Sequence, residues 1–152
     1  MVSVGPESLI VQAEITELGR VAAWAESLNE TLQLPPSTAF AVQLCFEEAV
    51  SNVMRHGFVG APGAGKDILL ALERRGDTVI AAICDRGVAF DPLAMAPPAP
   101  AASIEDAVVG GQGIHLMRTF AQRMDYERRD GMNRLTLRFI VPGPLPDKAP
   151  LR

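Results

Sequence analysis

Glu48, Asn52 and His56 fall at i, i+4 and i+8, in a segment that also carries Leu44, Phe46, Ala49, Val50 and Val53. On a helix this spacing lines the three polar groups along one stripe, with apolar side chains around the other sides. A helix so apolar is well buried, so a polar stripe on it needs a partner. The side-chain oxygen of Asn52 is a hard donor suited to Mg²⁺. Glu48, one turn earlier, can take a proton from a hydroxyl or a water beside such a metal. A solvated helix face is the simpler alternative, and for His56 it is preferred, as a cation favourable at the helix C-terminus.

Two further groups lie downstream. Asp85-Arg86-Gly87-Val88-Ala89-Phe90-Asp91-Pro92 comes directly after a β-type run. A carboxylate at a strand end can accept the exocyclic amine of adenine, where guanine presents a carbonyl. Gly87 would let a base approach the backbone. Taken alone, the group reads as an Asp-Gly turn. Gly110-Gly111-Gln112-Gly113 opens the helical run Ile114-His115-Leu116-Met117. Glycines before a helix N-terminus offer bare N–H groups to phosphate; alone, they read as a hinge. Gly60-Ala61-Pro62-Gly63-Ala64-Gly65-Lys66-Asp67 nearly matches a phosphate-binding P-loop, but Asp67 stands where a Ser or Thr should hold magnesium. It also comes after a helix and opens a strand, the reverse of the P-loop context, so it is read as a plain turn.

In this order the three groups, Glu-x-x-x-Asn, Asp-x-Gly-x-x-Phe-Asp-Pro and Gly-Gly-x-Gly-Ile-x-Leu-Met, resemble the nucleotide motifs of the gyrase/histidine-kinase/MutL ATPase superfamily. Within it the chain looks most like the anti-sigma factor serine/threonine kinases, and the resemblance spans residues 8–141. It implies a Bergerat-type ATP-binding fold using ATP and Mg²⁺. Asn52 would ligate Mg²⁺ and Glu48 would be the catalytic base. Asp85 would bind the adenine amine with Gly87 beneath the base. Gly111 and Gly113 would close on the phosphates, Thr136 would support Asp85 from the last strand, and residues 86–112 would form the ATP lid. The implied partners are a STAS-type anti-anti-sigma protein as the phosphorylated substrate, a sigma factor held inactive, and a second copy of the chain in a homodimer. Two other readings stand beside this one. One is a nucleotide-sensing module with little catalysis. The other is the detached ATPase half of a histidine kinase, disfavoured because both histidines, His56 and His115, lie inside the nucleotide motifs. Residues 88–114 contain no Lys or Arg. Charge neutralisation at the γ-phosphate then falls on Mg²⁺, backbone N–H groups, Arg118 or a partner's arginine.

The elements that must position these groups are legible from periodicity. An edge strand is expected over residues 8–13. A helix over 16–32 starts from Thr16 as N-cap, and a second helix starts from Ser37 and runs to about His56, with Gly57 as its C-cap. A hairpin occupies 67–73 and 78–84, a short helix 114–124, and a closing hairpin 126–129 and 132–141 around Asp130-Gly131. Hairpins with segregated helices predict an α+β, two-layer sandwich, with a mixed, mostly antiparallel sheet covered by helices.

The whole chain is consistent with that. Its 152 residues, 48% hydrophobic, fit one domain over 1–141, with a proline-rich flexible tail over 142–152. The net charge of −4 gives no basic footprint for nucleic acid or an anionic membrane. Cys45 and Cys84 sit in apolar runs and read as buried free thiols. No signal-peptide pattern and no span of about 20 apolar residues is present, so a cytoplasmic location is expected.

Overall fold

The computed structural model describes residues 3–58, 66–94 and 112–143. The expected turn at 60–65, the glycines Gly110 and Gly111, most of the expected lid and the tail beyond Gly143 lie outside the described residues.

Five strands, β1 (Ser3–Gln12), β2 (Asp67–Arg75), β3 (Thr78–Asp85), β4 (Arg123–Arg129) and β5 (Met132–Ile140), form one sheet in the order β1-β2-β3-β5-β4. Every neighbouring pair is antiparallel, so the described sheet contains no parallel pairing where a mixed one was expected. The β4–β5 hairpin turns through Asp130 (φ 53°) and Gly131 (φ 75°). Two consecutive left-handed residues give the turn whose twist matches that of the strands.

Alternation decides which face is covered. Ile68, Leu70 and Leu72 of β2, Val79, Ala81 and Ile83 of β3, and Leu135, Leu137 and Phe139 of β5 are all buried. Three helices lie over that face: α1 (Leu18–Ser27), α2 (Pro36–Asn52) and α3 (Gln112–Phe120). They contribute Val21, Val42, Phe46, Val50 and Met117 to the same core. Trp24 of α1 meets Phe46 of α2 edge-on at 5.4 Å, and full burial of a side chain the size of Phe46 is worth about 1.5–3 kcal/mol. Out-facing Leu69 and Ile140 remain exposed.

The helix boundaries differ from those expected. Thr16 lies inside a 3₁₀ turn (Ile15–Glu17) and caps nothing; α1 begins at Leu18 and ends at Ser27. The chain then turns through Gln33, at φ 51°, and Arg74 of β2 donates to the carbonyls of Leu32 and Gln33 at 2.9 and 2.7 Å. α2 begins at Pro36, not at a Ser37 cap, with extended Pro35 before it. Proline suits that first position because the N–H it lacks would have had no helical partner. α3 stops at Phe120 rather than 124 because sheet pairing claims the next residues: Arg123 pairs with Arg138 and Met124 with Leu137.

Candidate functional site

Beyond Asn52 the hydrogen-bond ladder of α2 widens into a π-turn, Val53–Gly57, instead of continuing as α-helix to His56. Such turns are concentrated at functional sites because they re-aim the side chains around them. Here the turn brings the Gly57 carbonyl onto the loop after β3. It accepts from Val88 N at 2.6 Å. A Cβ on Gly87 would stand 2.1 Å from the same oxygen. The close approach of two backbones therefore requires a glycine at position 87.

Between α2 and the ends of β3 and β5 lies a pocket. Its lining is largely apolar, from Ala49, Ile83, Leu135, Val88, Phe90 and Pro92, with Tyr126 beside them. Three buried polar side chains face it, Asn52 (9% exposed), Asp85 (6%) and Asn133 (5%). Apolar walls with a few fixed polar groups are what orients a flat heterocycle. Asp85 Oδ1 accepts from Gly87 N at 2.9 Å and from Asn133 Nδ2 at 3.0 Å. At the rim, the His56 ring stacks on Phe90 at 5.2 Å, with 17° between planes.

Glu48, one turn before Asn52, is half-buried against the start of α3: a Cβ on Gly113 would fall 2.3 Å from Glu48 Oε2. The structure thus joins the second-helix stripe to the loop after β3 and to the glycine-opened helix. Thr136 is not part of this assembly. Strand alternation places it with Arg134 and Arg138, opposite the face of Asn133, Leu135 and Leu137. The residue that supports Asp85 is Asn133, directly across the β3–β5 ladder. Its signal was present in the sequence, as the polar member of the alternating series Asn133, Leu135, Leu137, Phe139. Gly111 lies outside the described residues. Arg118 donates to the Leu93 carbonyl at 2.9 Å.

No group of three or more His, Cys, Asp or Glu is placed to hold a metal among the described residues. Asn52 does fit a metal that arrives with a nucleotide. The ligating atom would be Oδ1; the buried Nδ2 has no hydrogen-bond partner among the described residues, so no bond to that nitrogen fixes which way the amide is turned. Mg²⁺ takes one or two protein oxygens and completes its shell with phosphates and water. Cys45 and Cys84 are both free and buried.

Residues 11–139 match the family described as the histidine kinase-like ATPase domain. The chain belongs to this family. The serine/threonine-protein kinase BtrW of Bordetella bronchiseptica is 42% identical over 114 residues, 75% of this chain and 79% of BtrW. Among solved structures, the RsbU and RsbW domains of Rv1364c from Mycobacterium tuberculosis superpose with a TM-score of 0.66 at 19% identity. That match covers 93% of this chain and 34% of the other, so this chain spans about a third of that structure's length. The SiaB–SiaC complex from Pseudomonas aeruginosa gives 0.52 at 16% identity, covering 89% of each chain. The two structures share the α+β fold. Membership of an ATPase family implies that the chain binds ATP. No helix among the described residues is long and apolar enough to cross a membrane.

Proposed function

We propose that this protein is an ATP-dependent protein-serine kinase that acts as an anti-sigma factor. It phosphorylates a STAS-type anti-anti-sigma protein and, in the alternative complex, holds a sigma factor inactive, working as a homodimer. The observation that carries the reading is the placement of Glu48, with its carboxylate against Gly113 at the start of α3 and one helical turn from Asn52 in the pocket. The 42% identity to a serine/threonine-protein kinase supports the same reaction class.

In this reading Asp85 accepts the 6-amino group of adenine in the apolar slot formed by Ala49, Ile83 and Leu135. Asn52 would hold Mg²⁺ through its side-chain oxygen, and the metal would offset the negative charge of the phosphates. As the resemblance implies, Gly111 and Gly113 would offer their backbone N–H groups to those phosphates. Glu48 accepts the proton of the substrate serine as its oxygen bonds to the γ-phosphorus and the bond to ADP breaks. The test is single-turnover transfer of labelled phosphate from bound ATP to an anti-anti-sigma protein. Glu48→Gln keeps size and hydrogen bonding but removes the base. Transfer should fall about 100-fold or more, with ATP affinity near that of the wild type. Transfer at the wild-type rate would remove Glu48 as the base.

A second reading, a nucleotide-sensing module with little transfer, is favoured by one feature. Arg118, the cation nearest in sequence to the glycine motif, donates to the carbonyl of Leu93. A wild type that binds ATP and its partner yet transfers nothing would establish that reading instead.

A further inference from the structure

Asn133 uses its whole amide. Nδ2 donates to Asp85 Oδ1 at 3.0 Å and to the Val88 carbonyl at 2.8 Å. Oδ1 accepts from the Tyr126 hydroxyl and from Arg128 Nη1, the latter at 2.9 Å. Arg128 Nη1 also donates to the Gly87 carbonyl at 3.0 Å. Two donors from β4 thus point at the amide oxygen, and two acceptors, Asp85 and the Val88 carbonyl, face the amide nitrogen. The amide has one satisfied orientation. Turned over, its oxygen would face Asp85 and the Val88 carbonyl, and its N–H groups would face a guanidinium. Polar atoms left unpaired or set against like charge in a buried setting are strongly disfavoured. With Oδ1 of Asp85 occupied by Asn133 and Gly87, Oδ2 accepts no hydrogen bond among the described residues.

We propose that Tyr126 and Arg128 are positioning residues that set the purine selectivity of this pocket, acting through Asn133. The inference rests on the reading of the pocket as an ATP site with Asp85 as the adenine acceptor. By locking the Asn133 amide, the β4 pair holds Asp85 as a fixed acceptor aimed at a 6-amino group. Without the lock, the amide can present oxygen to the carboxylate, which is then repelled from its place. A site built around one hydrogen bond discriminates strongly only while its partner stays fixed. Arg128 lines no part of the pocket, so its effect on base choice is a signature that bulk contact with the nucleotide would not produce.

The experiment is calorimetry with Mg-ATP and Mg-ITP on the wild type, Tyr126→Phe, Arg128→Met and the double variant. ITP keeps the purine shape but carries a 6-carbonyl. The wild type should prefer ATP, and the ATP/ITP affinity ratio should fall about tenfold or more in the double variant. Each single variant should fall in between. If both affinities drop in parallel and the ratio holds, the pair only supports the fold and the proposal is overturned. If the double variant does not fold, Tyr126→Phe decides, because it deletes one oxygen and retains the ring; an unchanged ratio there overturns the proposal. A wild type that binds ATP and ITP equally brings down the Asp85 reading itself. That is distinct from the failure of the lock, in which wild type and variants discriminate alike.

Discussion

At Gly87 even a methyl group has nowhere to go. The obstacle is the Gly57 carbonyl at 2.1 Å, a backbone atom held in a π-turn rather than a side chain that could swing aside. Gly87→Ala should therefore separate the π-turn from the loop after β3 and cost about 1–3 kcal/mol, as overpacking does. The urea midpoint of the variant measures it, and ATP affinity should fall with it, since Asp85 and Val88 flank that glycine. Asn52 presents the opposite situation, a buried amide whose nitrogen has no partner among the described residues. Asn52→Ala should thus cost the fold little. It should weaken Mg-ATP binding by about tenfold or more, on the scale of a lost charged hydrogen bond, while metal-free nucleotide binding changes less. Calorimetry with and without magnesium separates the two, and equal losses in both conditions would exclude a ligand role for Asn52.

Among the elements, α2 carries Glu48 and Asn52, and its contact with α3 brings Glu48 against Gly113. The first turn of α3 reaches Glu48 so closely that a Cβ on Gly113 would meet Oε2 at 2.3 Å. That oxygen is the end of a rotatable side chain, so Gly113→Ala should be tolerated by the fold but displace the carboxylate. The expected result is a loss of phosphate transfer of about 100-fold, since a small misplacement of a base forfeits much of its effect. The urea midpoint should stay close to the wild type, and unchanged transfer in a folded variant would place Glu48 outside the reaction. Strand β5 carries the other lesson at this scale. A period of two assigns Asn133 to the inner face and Thr136 to the outer, so the supporting residue could be read from alternation alone. The family motif drew attention to the threonine; the pleat excludes it.

The molecule as a whole is a sheet with helices on one face, and its interior sets the chemistry of its thiols. Burial, and secondarily the charge of Glu48, pushes the Cys45 thiol up from an ordinary 9.0 to about 12. The folded chain therefore holds that proton more tightly than the unfolded chain does. The stabilisation is whole below about pH 9 and is lost as pH climbs toward 12. Between about pH 9 and 12 the urea midpoint of the wild type should decline more steeply than that of Cys45→Ala. Parallel declines would show that other groups govern alkaline unfolding. Both cysteines should also stay inert to thiol reagents at neutral pH until the chain unfolds.

By itself, the sequence determined the order of elements, the antiparallel hairpins and the three motif groups. Each is written in near neighbours: helical stripes at i and i+4, strand alternation, and turn residues such as Asp130-Gly131. It misplaced the ends of α1, α2 and α3, and for α1 and α3 the reason is a partner far along the chain. Arg74 holds the chain after α1, and β5 claims the residues after α3. The π-turn and the reason for Gly87 were likewise hidden, since both depend on two backbones, 30 positions apart, meeting at the Gly57 carbonyl. The same holds for the Tyr126–Arg128–Asn133–Asp85 set. Its members are ordinary surface or strand residues in sequence, and only the β3–β5–β4 register places their polar atoms within hydrogen-bond reach. Tertiary structure decided these because a hydrogen bond acts over about 3 Å in space, without regard to distance along the chain.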